Sequence, residues 1–182
     1  MWNKSSQKRL VSTLSEIRRA RGIQTGAASV LIYLKPKPGE SIAIFGVGSV
    51  GLSAVLAAKV AGRNPIIAID LFDSRLELAR EFGATHVLNG KTTPDILAAL
   101  HGISDSLQNV FDTSGNQHLL DIGVEILGEN GKGCQVTYGG DAHLSDRDIE
   151  MGKTWAHLIQ GGAVPQVFIP QMIELWKQAR AF

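Results

Sequence analysis

Cysteine is nearly absent from this chain: Cys134 is the one example in 182 residues. A disulfide framework and a zinc cluster built on cysteines are therefore excluded within the chain, and an intracellular, reducing compartment fits. No apolar run approaches the roughly 18 residues that a transmembrane helix needs, so no membrane partner is expected. Neither sign of charge prevails: 18 Lys and Arg face 17 Asp and Glu, leaving a net charge of +1. A chain so balanced has no overall field with which to attract nucleic acid or an anionic membrane surface. Aromatic residues make up only 6% of the sequence. What is present is an ordinary globular composition, 44% hydrophobic and 19% charged. The length suits one domain with its own core.

The chain is organised around Ser41 to Asp70, SIAIFGVGSVGLSAVLAAKVAGRNPIIAID. A short apolar run, Ile42 to Phe45, leads into Gly46-x-Gly48-x-x-Gly51; an Ala- and Val-rich helix pattern follows to Val60, then a second apolar run ending in Asp70. Gly46 permits a tight turn off the strand, Gly48 lets backbone approach a pyrophosphate, and Gly51 lets the helix lie close on the sheet. The amide N–H groups and positive dipole end of that helix then face the phosphates. Asp70 stands 24 residues after Gly46, at the tip of the second strand. A carboxylate there accepts hydrogen bonds from both hydroxyls of an adenosine ribose and repels a 2′-phosphate, which favours NAD over NADP. The plainer alternative is a doubly wound sheet whose glycines only make a turn and whose Asp70 caps the next helix.

The first 21 residues differ from the rest. Lys4, Lys8, Arg9, Arg18, Arg19 and Arg21 stand against Glu16 alone, and Leu10, Leu14 and Ile17 share one face of a helix. Such a basic, acid-poor, amphipathic segment also has the form of a mitochondrial transit peptide; a loose or surface-docked helix on a cytoplasmic protein is the reading preferred. Residues 1–21 are thus set apart from a domain over residues 22–182. Gly22 to Leu34 reads as a loop running into a helix capped by Thr25, with Ala27, Val30, Leu31 and Leu34 facing inward. The prolines and glycine of Lys35 to Glu40 end it.

Beyond Asp70, strand and helix alternate. Helices are expected over Asp73 to Phe82, over Pro94 to His101 with Thr93 as cap, over Gln117 to Leu127 and over Val167 to Ala179. Strands are expected at His86 to Asn89, Gln108 to Asp112, Cys134 to Tyr138 and Thr154 to Ile159, with Gly128 to Gly133 as a turn. Alternation with short connections means an α/β fold: a doubly wound, six-stranded parallel sheet of Rossmann type in the order 3-2-1-4-5-6. A ligand then sits at the carboxyl ends of the strands.

Several stretches together, among them GIQTGAASVLIYLKPKPGESIAIFGVGSVGLSAVLAAKVAG, AIDLFDSRLELAREFGATHVLN, VFDTSGN and AVPQVFIPQMIEL, resemble the medium-chain dehydrogenase/reductase family, nearest its zinc-type alcohol dehydrogenases of aryl- or benzyl-alcohol type. The resemblance implies that Gly46, Val47, Gly48, Ser49, Val50 and Gly51 hold the pyrophosphate. It implies that Asp70 takes the adenosine ribose with Arg75 beside it, and that Thr113, Ser114 and Gly115 wall the cleft. Tyr138, Gly139 and Gly140 would flank the nicotinamide ribose, Leu158 and Gln160 would meet the carboxamide through their backbone, and Thr25 would pack on the nicotinamide ring.

The departures matter as much. The family's catalytic domain mostly precedes this segment and supplies a Cys and a His zinc ligand, a proton relay and a four-cysteine structural lobe, none of which is in this sequence. The third zinc ligand, a Cys just before Gly-x-x-Thr-Gly, is here Arg21, which stays protonated and offers no lone pair. His86, His101, His118, His143 and His157 are scattered without ligand spacing, so no metal site and no catalytic residue is expected. The chain reads as the NAD(H)-binding domain of a zinc-type alcohol dehydrogenase-like oxidoreductase, inactive alone. The alternative is a non-catalytic dinucleotide-binding module or redox sensor. A homodimer through the open sheet edge, or contact with a catalytic domain, completes the expected partners.

Overall fold

Ile42 to Phe45 and Ile66 to Ile69 carry an apolar side chain at every position, the mark of strands covered on both faces. Both are strands of a six-stranded parallel sheet in the computed structural model, which describes residues 21–35 and 37–179. The strands are β1 (Ile42–Phe45), β2 (Ile66–Asp70), β3 (His86–Asn89), β4 (Leu107–Asp112), β5 (Leu127–Gln135) and β6 (Thr154–His157). Their order is β3-β2-β1-β4-β5-β6, as the alternation implies. β1 lies between β2 and β4, with Ile44 opposite both Ala68 and Phe111. The expected basic helix with Leu10, Leu14 and Ile17 lies outside the described residues.

The helices are α1 (residues 21–34), α2 (Ser49–Val60), α3 (Asp73–Phe82), α4 (Ile96–His101), α5 (Gln117–Ile126), α6 (Asp146–Glu150) and α7 (Pro165–Ala179). Alternate strand residues feed two cores. Ile42 and Ile44 join Val30, Ala54, Ala58, Leu76, Phe111 and Phe168 on the side of α1, α2, α3 and α7. Ala43 and Phe45 join Ile96, Leu100, Val110, Ile122 and Ile126 on the side of α4 and α5. Phe45 and Phe111 are wholly buried, and such a side chain contributes roughly 2–3 kcal/mol by leaving water. At the amino ends of the strands the buried Arg63 guanidinium donates to Glu40 Oε2 at 3.0 Å. Burial lowers its pKa to about 10 despite the Glu40 charge.

Several local expectations need correction. Thr25 does not cap α1: residues 21–34 are helical throughout, and its Oγ1 donates to Arg21 O one turn back at 2.8 Å. The helix widens to π geometry over Ser29–Leu34 and stops where Lys35 turns left-handed, φ 44°. The cap of α4 is Asp95, whose carboxylate accepts from Ala98 N at 2.9 Å, so Thr93 and Pro94 precede the helix.

Gly128 to Gly133 is not a turn. β5 already begins at Leu127, opposite Leu107, and resumes past an irregularity with Lys132 opposite Asn109. Gly133 answers to a neighbour rather than to a bend: a Cβ there would lie 1.9 Å from the Trp155 ring. The strand ends at Gln135, so Tyr138 lies beyond it. α6 was not foreseen. It starts on a capping box in which Ser145 Oγ accepts from Asp148 N and the Asp148 carboxylate accepts from Ser145 N.

Candidate functional site

The carboxyl ends of β1, β2 and β4 open onto a cleft of about 860 Å³. Thr25, Gly46, Gly48, Ser49, Val50, Asp70, Arg75, Thr113 and Ser114 all line it. The corner between β1 and α2 explains how. Gly46 sits at φ 82°, and a Cβ there would meet Thr113 Oγ1 at 2.6 Å, while one on Gly51 would lie 2.0 Å from Gly46 O. The two glycines let α2 start directly on the strand end. Gly48 is different: a Cβ there meets nothing within 4 Å, so the space above it is open. No side chain caps α2, and the amides of a first helical turn have no partner within the helix. Open space over a glycine beside uncapped amides is a cradle that fits a diphosphate.

Asp70 fastens this corner from the neighbouring strand. Its Oδ2 accepts from Val47 N at 2.8 Å, and its Oδ1 accepts from Leu71 N at 2.8 Å and Phe72 N at 3.1 Å. Arg75 Nη1 stands 3.5 Å from Oδ2. Three of the roughly four acceptor sites of a carboxylate are therefore occupied, which leaves one for a ligand hydroxyl rather than the two read from sequence. The alternative use foreseen for Asp70, as cap of the next helix, is not what the structure has: the N-cap of α3 is Phe72 with no side-chain cap, and Asp70 bonds the two residues that precede the helix.

Asp112 does the matching work at the end of β4. Its Oδ1 accepts from Ser114 N and Ser114 Oγ at 3.1 and 2.6 Å, and its Oδ2 from Gly115 N and Thr137 Oγ1 at 2.9 and 3.2 Å. It is wholly buried and is not part of the cleft wall.

The other expected residues lie elsewhere. Val47 and Gly51 are buried beneath the cleft. Gly115 and Gly139 pack backbone to backbone, a Cβ on Gly139 falling 2.7 Å from Gly115 O. Gly140 is buried, its carbonyl accepting from Gln135 Nε2 at 2.8 Å. Tyr138 is 86% exposed, with its ring 5.0 Å from that of His157. Leu158 donates its N–H to Gln135 O, and Gln160 occupies a left-handed turn at φ 55°. None of Gly115, Tyr138, Gly139, Gly140, Leu158 or Gln160 is part of the cleft wall. Leu71, Phe72, Pro94, Ile96, His118, Leu119 and Thr137 do line it without having been singled out. Leu71, Phe72 and Thr137 stand just past strand ends, which was the available signal for them.

Comparison with known proteins gives the following. The family model described as zinc-binding dehydrogenase matches residues 49–177. The chain is 33% identical over 160 residues to alcohol dehydrogenase class-3 of Myxine glutinosa, across 84% of this chain and 42% of the relative. It is 31% identical over 164 residues to geraniol dehydrogenase of Castellaniella defragrans, across 87% of this chain and 44% of the relative. The crystal structure of benzyl alcohol dehydrogenase from Acinetobacter calcoaceticus superposes with a TM-score of 0.81 at 41% identity, over 88% of this chain and 45% of that one. The chain thus spans less than half the length of the relatives it matches.

The family's description invokes zinc, and the residues present do not fit it. Among the described residues no group of three or more His, Cys, Asp and Glu side chains comes together. Cys134 is wholly buried in β5, and burial, with the nearby Asp112 charge adding to it, raises its thiol pKa well above the ordinary value. A thiol so placed does not supply the thiolate that zinc takes.

Proposed function

Because this chain belongs to the zinc-binding dehydrogenase family, we propose that residues 22–182 are the NAD(H)-binding domain of a zinc-type alcohol dehydrogenase-like oxidoreductase. The observation that carries this is the glycine corner: open space above Gly48, beside the uncapped start of α2, with Asp70 bonded to Val47 N. The amides of Ser49 and Val50 would receive the pyrophosphate. The remaining acceptor site of Asp70 would take a hydroxyl of the adenosine ribose, with Arg75 alongside. Thr113 and Ser114 would wall the middle of the cofactor, and Thr25 would back the nicotinamide. Bound there, the nicotinamide would supply the hydride acceptor or donor for the oxidation of an alcohol or its reverse. The chain's own part is to bind, orient and shield. Zinc chemistry is assigned no residue here, so the chain by itself should turn over little alcohol.

Titration calorimetry with NADH tests the reading: one site per chain is expected. Gly48→Ala places a methyl group in open protein space, so it should melt as the wild type does yet bind NADH at least about tenfold more weakly. Absent binding to the folded wild type, or undiminished binding to the variant, refutes the proposal.

We also propose a cytoplasmic homodimer built on β6, an edge strand that pairs with β5 alone among the described residues. Sedimentation as a monomer at high concentration would rule the dimer out.

A further inference from the structure

Asp70, Arg75 and His118 are the ionisable side chains on the wall of the cleft. Asp70 and Arg75 stand 3.5 Å apart and offset each other's charge. The Arg75 guanidinium carbon also lies 4.8 Å from the centroid of the Phe72 ring, which Lys91 Nζ approaches to 4.4 Å. His118 has no such engagement. It is the second residue of α5, exposed, two places after the capping Asn116. Among the described residues no hydrogen bond or ion pair holds its ring. The other charged groups on the elements around it are Asp95 at the start of α4, Asp112 at the end of β4, Asp121 on α5 and Asp141 in the loop after β5, and none of these lines the cleft. Asp95 accepts from Ala98 N, Asp112 is used up by its four bonds, Asp121 accepts from Gln117 Nε2 at 2.8 Å, and Asp141 is tied through its backbone to Gln117. His86, His101, His143 and His157 do not line the cleft either.

We propose that His118 is a further binding residue of this cleft and links it to protons: a diphosphate-bearing nucleotide binds more tightly when His118 is an imidazolium, and the chain takes up a proton as it binds. This inference rests on the reading of the cleft as a dinucleotide site, and adds to it a residue and a pH dependence. A diphosphate brings two negative charges into a wall whose one guanidinium is already offset by Asp70. Of the side-chain types on that wall, imidazole is the one that ordinarily changes charge between about pH 5 and pH 8. With His118 neutral the wall carries no net charge; with His118 protonated it carries one positive charge. A nearby anion favours the charged imidazole. The coupling is reciprocal, so the imidazolium favours the anion by the same factor. The sign follows: affinity is highest at the acid end of the range and falls as pH rises. Exposure of the ring and the positive end of α5 beneath it keep the effect modest and sensitive to salt.

The test uses the purified chain and two probes, measured by calorimetry between about pH 5.5 and pH 8. ADP-ribose keeps both diphosphate charges over that range, and adenosine is uncharged throughout it. The expected result is ADP-ribose binding about fivefold tighter at the acid end, with adenosine affinity unchanged. Runs in buffers of different ionisation enthalpy should show proton uptake with ADP-ribose near the middle of the range. His118→Gln should remove both the rise and the uptake. His118→Lys, a permanent cation, should hold the tighter binding at every pH. If NADH binds and ADP-ribose affinity does not change with pH, the inference fails and the dinucleotide reading stands. If adenosine follows the same profile as ADP-ribose, or His118→Gln keeps the profile, another group is responsible and the inference fails again. If neither NADH nor ADP-ribose binds the folded chain, the underlying reading is the one that falls, and the inference with it. Both substitutions are at an exposed residue, so loss of the fold would not obscure the result.

Discussion

Two carboxylates end the strands on either side of β1, and they differ in what they leave free. Asp70 closes β2 and clasps the corner between β1 and α2; Asp112 closes β4 and clasps the turn into α5. Asp112 accepts four hydrogen bonds, two from backbone amides and two from hydroxyls, and is wholly buried. Asp70 accepts three, all from backbone, and borders the cleft. One carboxylate is used up by the fold and the other keeps an acceptor site facing the cleft. The same residue type at the same kind of position is therefore structural in one case and available to a ligand in the other. Counting its bonds separates the two roles where sequence position does not.

The glycines divide in the same way, and they give the largest expected effect. Gly51→Ala would force a Cβ to within 2.0 Å of Gly46 O. It should cost about 3 kcal/mol or more, roughly 10 °C in Tm, or prevent folding. A variant melting like the wild type would show that α2 does not start as tightly on β1 as described. Asp112→Ala comes next. It leaves the buried-side amides of Ser114 and Gly115 and two hydroxyls without their acceptor, and should cost about 2–3 kcal/mol by denaturant unfolding. Asp70→Asn should behave oppositely. Its stability loss should be about 1 kcal/mol, while calorimetry should show NADH weakened about tenfold. If Asp112→Ala spared stability, or Asp70→Asn spared NADH, the contrast between the two carboxylates would be broken.

The smallest effect concerns Asp148, far from both corners. Hydrogen bonds from Lys153 and Ser145 lower its pKa to about 2 from the ordinary 3.8. A carboxyl group whose folded pKa is depressed adds stability that is complete above its unfolded value and disappears as pH falls through the folded one. Wild-type stability should therefore drop between about pH 4 and pH 2 more than that of Asp148→Asn, read from Tm across that range. Parallel curves for the two proteins would contradict the assigned bonds.

How much of this was legible in the chain depends on how local each demand is. Gly46, Gly48, Gly51 and Asp70 were readable because a strand, a tight turn and a helix impose fixed spacings on consecutive residues. The order of the strands followed from alternation and handedness. Gly133 misled because its reason is tertiary: the space it leaves is filled by the Trp155 ring. A glycine-rich stretch that reads as a turn is here a strand packed under an indole. Asp112 was invisible as an organiser because one of its partners, Thr137, lies 25 residues away across the strand pairing. Thr93 and Asp95 both suit a helix cap, and only the position of Ala98 N decides between them. Phe72 and Lys91 carried no motif at all, and their relation to Arg75 appears only once the turns after β2 and β3 stand side by side.

A second cavity of about 620 Å³ lies at the opposite, amino end of the sheet, lined by Glu125, Glu129, His143, Arg147 and Lys153 among others. It offers a direct internal control for where a dinucleotide goes. Amide NMR of the ¹⁵N-labelled chain, titrated with NADH, compares the two ends in one experiment. The account predicts saturable shifts concentrated at Val47, Gly48, Ser49 and Val50 and at Leu71 and Phe72 beside Asp70, with Glu125 and Glu129 unmoved. Shifts centred on Glu125, Glu129 and Lys153, or none that saturate, would contradict it.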